Sequence, residues 1–247
     1  MKVILSDNPK TLGENAAALT AKLLRGAISK QGSARLLMST GASQFETIKA
    51  LVREDVDWSV VDVFHLDEYI DMPDTHPASF RKYIRERFAD IVHPRRVNYV
   101  VAEDDVTQNI RNLTEELRRE PIDVGLIGIG ENAHIAFNDP PADFETKDAY
   151  IMVDLDMKCR NQQLREGWFK TLDDVPRKAV SMSVSEIMKC KNIISAVPYK
   201  VKAQAIRDTL ENELTPHIPA TMLKGHTSFS LFVDRDSASL VDIAKYL

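Results

Sequence analysis

Short apolar runs alternate with longer amphipathic stretches along this chain, and that alternation predicts an α/β fold. The expectation is a single domain spanning residues 1–247, with a mostly parallel sheet flanked by helices in a doubly wound, Rossmann-like arrangement. Two further observations point the same way. No Gly/Ser-rich or Pro-rich linker, internal repeat or low-complexity segment divides the 247 residues. Three predicted strands also run out into polar clusters, at Thr40–Gln44, His65–Tyr69 and Gly130–Asp139. A parallel sheet binds its ligands there, beyond the carboxyl ends of its strands.

Val3-Ile4-Leu5 reads as the first strand, and Pro9 suits a first helical turn. Leu12, Ala16, Leu19, Leu23 and Ala27 recur on one face of a long helix that Gly32 ends. Leu36–Ser39 is a strand, and a helix follows through Phe45, Ile48, Leu51 and Val52. Val60–Phe64 is the next strand, Pro73–Pro77 a loop and Ser79–Phe88 a helix. Val97–Val101 reads as a strand, Val106–Arg119 as a helix with Ile110, Leu113 and Leu117 inward, and Val124–Ile129 as a buried strand. Tyr150–Leu155 is a strand, Cys159–Trp168 a helix and Ala179–Val184 a strand or turn. Asn192–Val197 leads into a helix from Tyr199 to about Glu211. Phe229–Val233 is a last strand, and Ser237–Leu247 is expected to form a terminal helix.

Composition narrows the function classes. A net charge of −5 and a pI near 5.7 argue against a general nucleic-acid binder, while leaving room for a small anionic ligand held by a few local donors. No stretch approaches the roughly 18 uninterrupted apolar residues of a membrane span, and Val3–Leu5 is too short an apolar run for a signal peptide. Two cysteines, Cys159 and Cys190, outside any CxxC spacing, fit a reduced, cytosolic compartment. The histidines and acids lack metal-ligand spacing. The sequence leaves homo-oligomerisation open.

Each polar cluster suits a different task. Thr40, Gly41, Ala42 and Ser43, small residues between a strand and a helix, suit a phosphate. They let the backbone approach closely, and the helix supplies free N–H groups; neither a P-loop nor a GxGxxG pattern is present. Asp67 and Glu68 offer a carboxylate at a strand end as a general base, and strand alternation lets at most one of them face a ligand. His134 and Asp139, five residues apart, are close enough for one loop to join imidazole and carboxylate. Lys200, at the start of a helix, is placed to reach a phosphate, and Arg160 and Arg165 are further candidates.

Taken in order, these blocks resemble the glucosamine-6-phosphate deaminase (isomerase) family. Ser39-Thr40-Gly41-Ala42-Ser43 is similar to its phosphate loop. Leu66-Asp67-Glu68-Tyr69, followed by His76-Pro77-Ala78-Ser79-Phe80, resembles its DEY block and the segment after it. Gly128-Ile129-Gly130 through His134-Ile135-Ala136-Phe137-Asn138-Asp139-Pro140 resembles its GHIAFNEP block. The resemblance implies isomerisation and deamination of a 2-amino-2-deoxyhexose 6-phosphate, with no cofactor or metal. His134 would open the pyranose ring and Asp67 would move the C2 proton toward C1. Asn132 and Asp139 would orient His134. The loop Thr40–Ser43, with Lys200 and Arg160, would hold the phosphate, and Glu68 would join the substrate site.

The chain departs from the family pattern in four places. The usual TGGTP is Thr40-Gly41-Ala42-Ser43-Gln44, and the usual NGH or DGH is Asn132-Ala133-His134. Ala133 tolerates a positive φ poorly if that turn needs one. The glutamate of FNEP is Asp139, shorter by one carbon, about 1.5 Å. The family's phosphate-binding arginine, expected near Gln163, is unmatched, leaving Arg160 or Arg165 to substitute. These changes bear on which amino sugar is preferred, the galactosamine epimer included. The related 6-phosphogluconolactonases typically carry DERxVP where this chain has Asp67-Glu68-Tyr69. A non-catalytic sugar-phosphate sensor would come with a helix-turn-helix segment, and this chain opens directly on a strand.

Overall fold

A computed structural model describes residues 1–247. Ten strands form two sheets. The larger is a seven-stranded, wholly parallel sheet. It comprises β1 (Lys2–Ser6), β2 (Ala34–Met38), β3 (Val61–His65), β5 (Arg96–Asn98), β6 (Val124–Leu126), β9 (Ile193–Val197) and β10 (Phe229–Asp234). Their order across the sheet is β1-β10-β9-β6-β2-β3-β5. From β2 the chain first moves outward through β3 to β5, then returns to β6 on the other side of β2 and continues outward to β9 and β10. The direction therefore reverses between β2 and β6, the position at which a doubly wound sheet opens a ligand crevice.

Alternating side chains feed two cores. On one face lie α1 (Pro9–Gln31), α2 (Phe45–Leu51), and the helical segment α3 (Phe80–Ile84) and α4 (Asp90–Val92), joined by a π-helical stretch at Arg85–Ala89. These pack on Leu36, Met38, Val61 and Val63. On the other face lie α5 (Val106–Leu117), α7 (Val184–Ile187) and α8 (Ala203–Glu211), against Leu37, Phe64, Val197 and Leu231. Asn8 caps α1 through a 3.0 Å bond from the Thr11 N–H, and Gly32, at φ 78°, closes it. No helix is long and apolar enough to cross a membrane.

The expected strand Tyr150–Leu155, the strand or turn Ala179–Val184 and part of the polar cluster His65–Tyr69 join in a second sheet that the sequence reading did not separate. Here β4 (Asp67–Tyr69), β8 (Lys178–Met182) and β7 (Tyr150–Asp154) pair antiparallel in the order β4-β8-β7. With α6 (Met157–Arg165) it encloses a small apolar cluster that includes Tyr69, Phe80, Phe137 and Phe169. The expected strand Val97–Val101 pairs only over Arg96–Asn98. Side chains replace its ladder beyond that point: the Val100 N–H donates to His65 Nε2 at 2.8 Å and Asn98 Nδ2 to the Val63 carbonyl at 3.3 Å. The expected terminal helix Ser237–Leu247 is absent, apart from a short 3-10 turn at Ile243–Lys245. Asp234 and Ser237 exchange side-chain and backbone hydrogen bonds that close a turn instead, the usual competition of short polar side chains with a helix start.

Candidate active site

An open cavity lies at the carboxyl ends of β2, β3, β6 and β9, over the reversal point of the sheet. The segment after β2 supplies one wall. The Ser39 N–H donates to the Leu126 carbonyl at 2.9 Å, Gly41 turns at φ 96°, and a 3-10 turn, Ala42–Gln44, leads into α2. The Tyr83 hydroxyl donates to the Gly41 carbonyl at 3.0 Å, and Gln44 Nε2 to the Ala196 carbonyl at 3.1 Å. Thr40, Gly41, Ala42 and Ser43 all line the cavity.

The adjacent acids after β3 part company, as strand alternation requires. Asp67 lines the cavity and is 6% exposed. Burial, reinforced by the charge of Glu68, holds its carboxyl well above the usual carboxylate range. Glu68 points away and is fully buried, so it is not positioned as a substrate ligand. It accepts from Ser79 Oγ at 2.8 Å, from the N–H groups of Phe80 and Arg81 at 3.1 and 2.9 Å, and from Arg81 Nε at 3.3 Å. Glu68 thus secures the first turn of α3 and ties the segment around Asp67 to the one around Ser79.

After β6, the Gly130 N–H donates to the His134 carbonyl at 2.9 Å and the Ala133 N–H to the Gly130 carbonyl at 3.1 Å, making a tight loop. Ala133 takes the left-handed conformation, at φ 62°, and Ala136 does the same at φ 49°. The imidazole lies directly on Gly130, where a Cβ would come within 2.3 Å of the ring, so only glycine fits there. Asn132 Nδ2 donates to Asp139 Oδ1 at 3.2 Å, which turns its amide oxygen toward His134. His134 Nδ1 faces that oxygen at 2.5 Å and Asp139 Oδ1 at 3.2 Å. Both are acceptors, so Nδ1 carries a hydrogen and Nε2 is left on the free edge of the ring. The shorter acid therefore still reaches the imidazole. Burial works to raise the Asp139 carboxyl, but the hydrogen bonds from His134 and Asn132 outweigh it, and the group is held below its ordinary range. Asn138 staples the loop to the small sheet, donating to the Ile135 and Met182 carbonyls at 2.8 Å each.

The remaining wall differs from expectation. Lys200 is exposed and outside the cavity, whereas Lys202 lines it and is 6% exposed. Burial lowers the Lys202 ammonium, opposed by the charges of Glu166 and Glu131. The pattern that separates the two lysines continues the period of α8 into the turn before it: Lys202 is buried in line with Ile206 and Thr209, whereas Lys200 falls in line with Gln204 and Asp208, which are not buried. Arg160 is turned into the protein, where its guanidinium donates to the Leu172 and Val175 carbonyls at 2.6 and 3.2 Å. Arg165 pairs with Glu131 at 2.7 Å outside the cavity. Gln162, Gln163 and Glu166 of this helical region and the following Trp168 line the cavity; the sequence reading named Gln163 only as the place of an unmatched arginine and did not mark Gln162 or Glu166.

The chain's likeness to known proteins is consistent from end to end. Residues 7–231 match the family described as glucosamine-6-phosphate isomerases/6-phosphogluconolactonase. A glucosamine-6-phosphate deaminase from Thermoanaerobacter pseudethanolicus is 33% identical over 98% of this chain and 95% of its own length. One from Clostridium botulinum is 30% identical over 100% and 99%. Among solved structures, a monomeric glucosamine-6-phosphate deaminase superposes with a TM-score of 0.89 at 28% identity, covering 98% of this chain and 100% of that one. A 6-phosphogluconolactonase from Shewanella baltica shares the fold, with a TM-score of 0.77 at 19% identity over 95% and 97% of the two chains.

Proposed function

The chain belongs to the family of glucosamine-6-phosphate isomerases and 6-phosphogluconolactonases, and from that premise we propose that it converts glucosamine 6-phosphate to fructose 6-phosphate and ammonia. The phosphate sits against the Thr40–Ser43 backbone and Lys202. His134 Nε2 takes the proton of the anomeric hydroxyl and returns one to the ring oxygen, which opens the pyranose to the aldehyde. Asp67 then removes the C2 proton, giving an enolamine, and delivers a proton to C1. The product of that transfer is a ketimine at C2. Water adds to it, ammonia leaves, and the C2 ketone remains.

The observation that carries this reading is the seating of Asp67 and His134 in one cavity. Burial raises the affinity of Asp67 for the proton it must hold between C2 and C1. Asn132 and Asp139 occupy His134 Nδ1 and leave Nε2 to meet the sugar. Asp139, held ionised, stabilises the imidazolium formed in passing. Two buried, unpaired cysteines fit a reduced, cytosolic setting.

Purified protein given glucosamine 6-phosphate is expected to release ammonia and fructose 6-phosphate in equal amounts. Parallel wells hold galactosamine 6-phosphate and 6-phosphogluconolactone. Silence in the first well with activity in either of the others would overturn the substrate assignment.

A further inference from the structure

Tyr199 stands out because its backbone, at φ 79° and ψ 145°, lies in a region that residues with a side chain rarely occupy. It is the first residue of the turn that carries Lys202. The Lys202 N–H donates to the Tyr199 carbonyl at 3.0 Å, and Lys200–Lys202 then leads into α8. Something must hold so unfavourable a conformation. The Tyr199 N–H donates to Asp234 Oδ2 at 3.0 Å, across from the end of β10. Asp234 is 1% exposed, and its other oxygen accepts from the Ser237 N–H at 2.7 Å, while its own N–H donates to Ser237 Oγ at 3.0 Å. Its carboxylate therefore grips the Tyr199 turn with one oxygen and is anchored by the other.

We infer that Asp234 is a positioning residue for sugar-phosphate binding: it clamps the Tyr199 turn and thereby aims Lys202 into the cavity. The inference rests on Lys202 being the phosphate anchor. Without the clamp, Tyr199 relaxes to a negative φ. That rotation swings the start of the helical turn and displaces the ammonium from its seat. Asp234 touches no reacting atom, so its loss weakens binding and leaves the chemical step alone.

The test is a cycle in the intact chain, read by calorimetric affinity for fructose 6-phosphate alongside KM and kcat for glucosamine 6-phosphate. Asp234→Asn leaves one of the two N–H groups without an acceptor. It is expected to raise Kd and KM about 10-fold, with kcat within about twofold, the pattern of lost uniform binding. In a Tyr199→Gly background the clamp has no strain to hold, so adding Asp234→Asn is expected to change Kd by less than about twofold relative to Tyr199→Gly alone. Ser237→Ala, a milder variant should Asp234→Asn fail to fold, is expected to raise Kd about threefold. Equal losses from Asp234→Asn with and without Tyr199→Gly, or unchanged affinity in both Asp234→Asn and Ser237→Ala, would overturn the clamp. A wild-type chain that binds fructose 6-phosphate but releases no ammonia removes the deaminase reading and leaves this cycle fully readable. A wild-type chain that binds no sugar phosphate overturns both.

Discussion

The two sides of the cavity are built on different terms. The wall formed after β3 and β6 holds Asp67 and His134 on short strand-end segments, and each element there has fixed partners: Glu68 on α3, Asn138 on the small sheet, Asn132 and Asp139 on the imidazole. The opposite wall brings in Lys202, Gln163 and Glu166 from helices and the turns beside them, through long side chains. On the proposed function, the first wall fixes the direction of the reacting groups. The second supplies contacts that need only reach. A position on the first wall should therefore answer to substitution in kcat, and one on the second in KM.

The largest effect expected is from Asp67→Asn. Loss of the general base should lower kcat by about 10²- to 10⁴-fold, with fructose 6-phosphate affinity little changed by calorimetry. A comparable loss of affinity would blur the distinction between the walls. The neighbouring acid should behave in the opposite way. Glu68→Ala strips the first turn of α3 and leaves Arg81 with its charge half-matched. The expected cost is about 3 kcal/mol or more of stability, read as a fall in Tm of roughly 6 °C or more for a chain of this size. An unshifted melting curve would show that Glu68 is not structural.

Stability against pH sharpens the contrast further. The Asp67 carboxyl is held above its unfolded-state range, so the folded chain binds the extra proton first. Its contribution to stability is fully present below the ordinary carboxylate range and is lost as pH rises through the raised value. Asp67→Asn should remove that downward slope from a plot of Tm against pH. An identical slope in both proteins would contradict the assignment.

Smaller effects are expected on the anchoring wall. Lys202→Ala should raise KM about 10-fold with little change in kcat, and Lys200→Ala should leave both unaltered, by steady-state ammonia release. Equal effects of the two would return Lys200 to the site. The smallest change expected is from Ala133→Gly. Relief of about 1 kcal/mol of left-handed strain is offset by a comparable gain in unfolded-chain entropy, leaving Tm within about 2 °C of wild type. A large loss would mean that the Ala133 methyl, buried in the core, matters more for packing than its φ costs.

The same division decides what was legible in the sequence. Strand ends are announced by an apolar run breaking into polar residues, and that signal located Thr40–Ser43, Asp67 and His134 together. Alternation also said that Asp67 and Glu68 cannot both face a ligand, although not which one does; the choice depends on Ser79 and Arg81, more than ten residues away. On the anchoring wall the sequence marks charge but not direction. Arg160 spends its donors on carbonyls of the following loop, a contact no local pattern announces. Lys202 was within reach of a helical-periodicity argument, because it shares a face with Ile206 and Thr209, whereas Lys200 shares one with Gln204 and Asp208. The antiparallel sheet was hidden for a similar reason: β4 is the polar stretch Asp67–Tyr69, β7 and β8 have ordinary strand compositions, and the pairing of all three is set by contacts distant in sequence.

The central claim is that Asp67 handles the C2 proton. Its most direct test is to supply glucosamine 6-phosphate deuterated at C2 to the wild-type chain and to Asp67→Asn, and to follow the label by NMR in substrate and product. The account predicts that the wild type loses the C2 deuterium, passing it to C1 or to solvent, while Asp67→Asn returns substrate with its label intact. Loss of the label at the wild-type rate in Asp67→Asn would contradict it and assign the proton to another group.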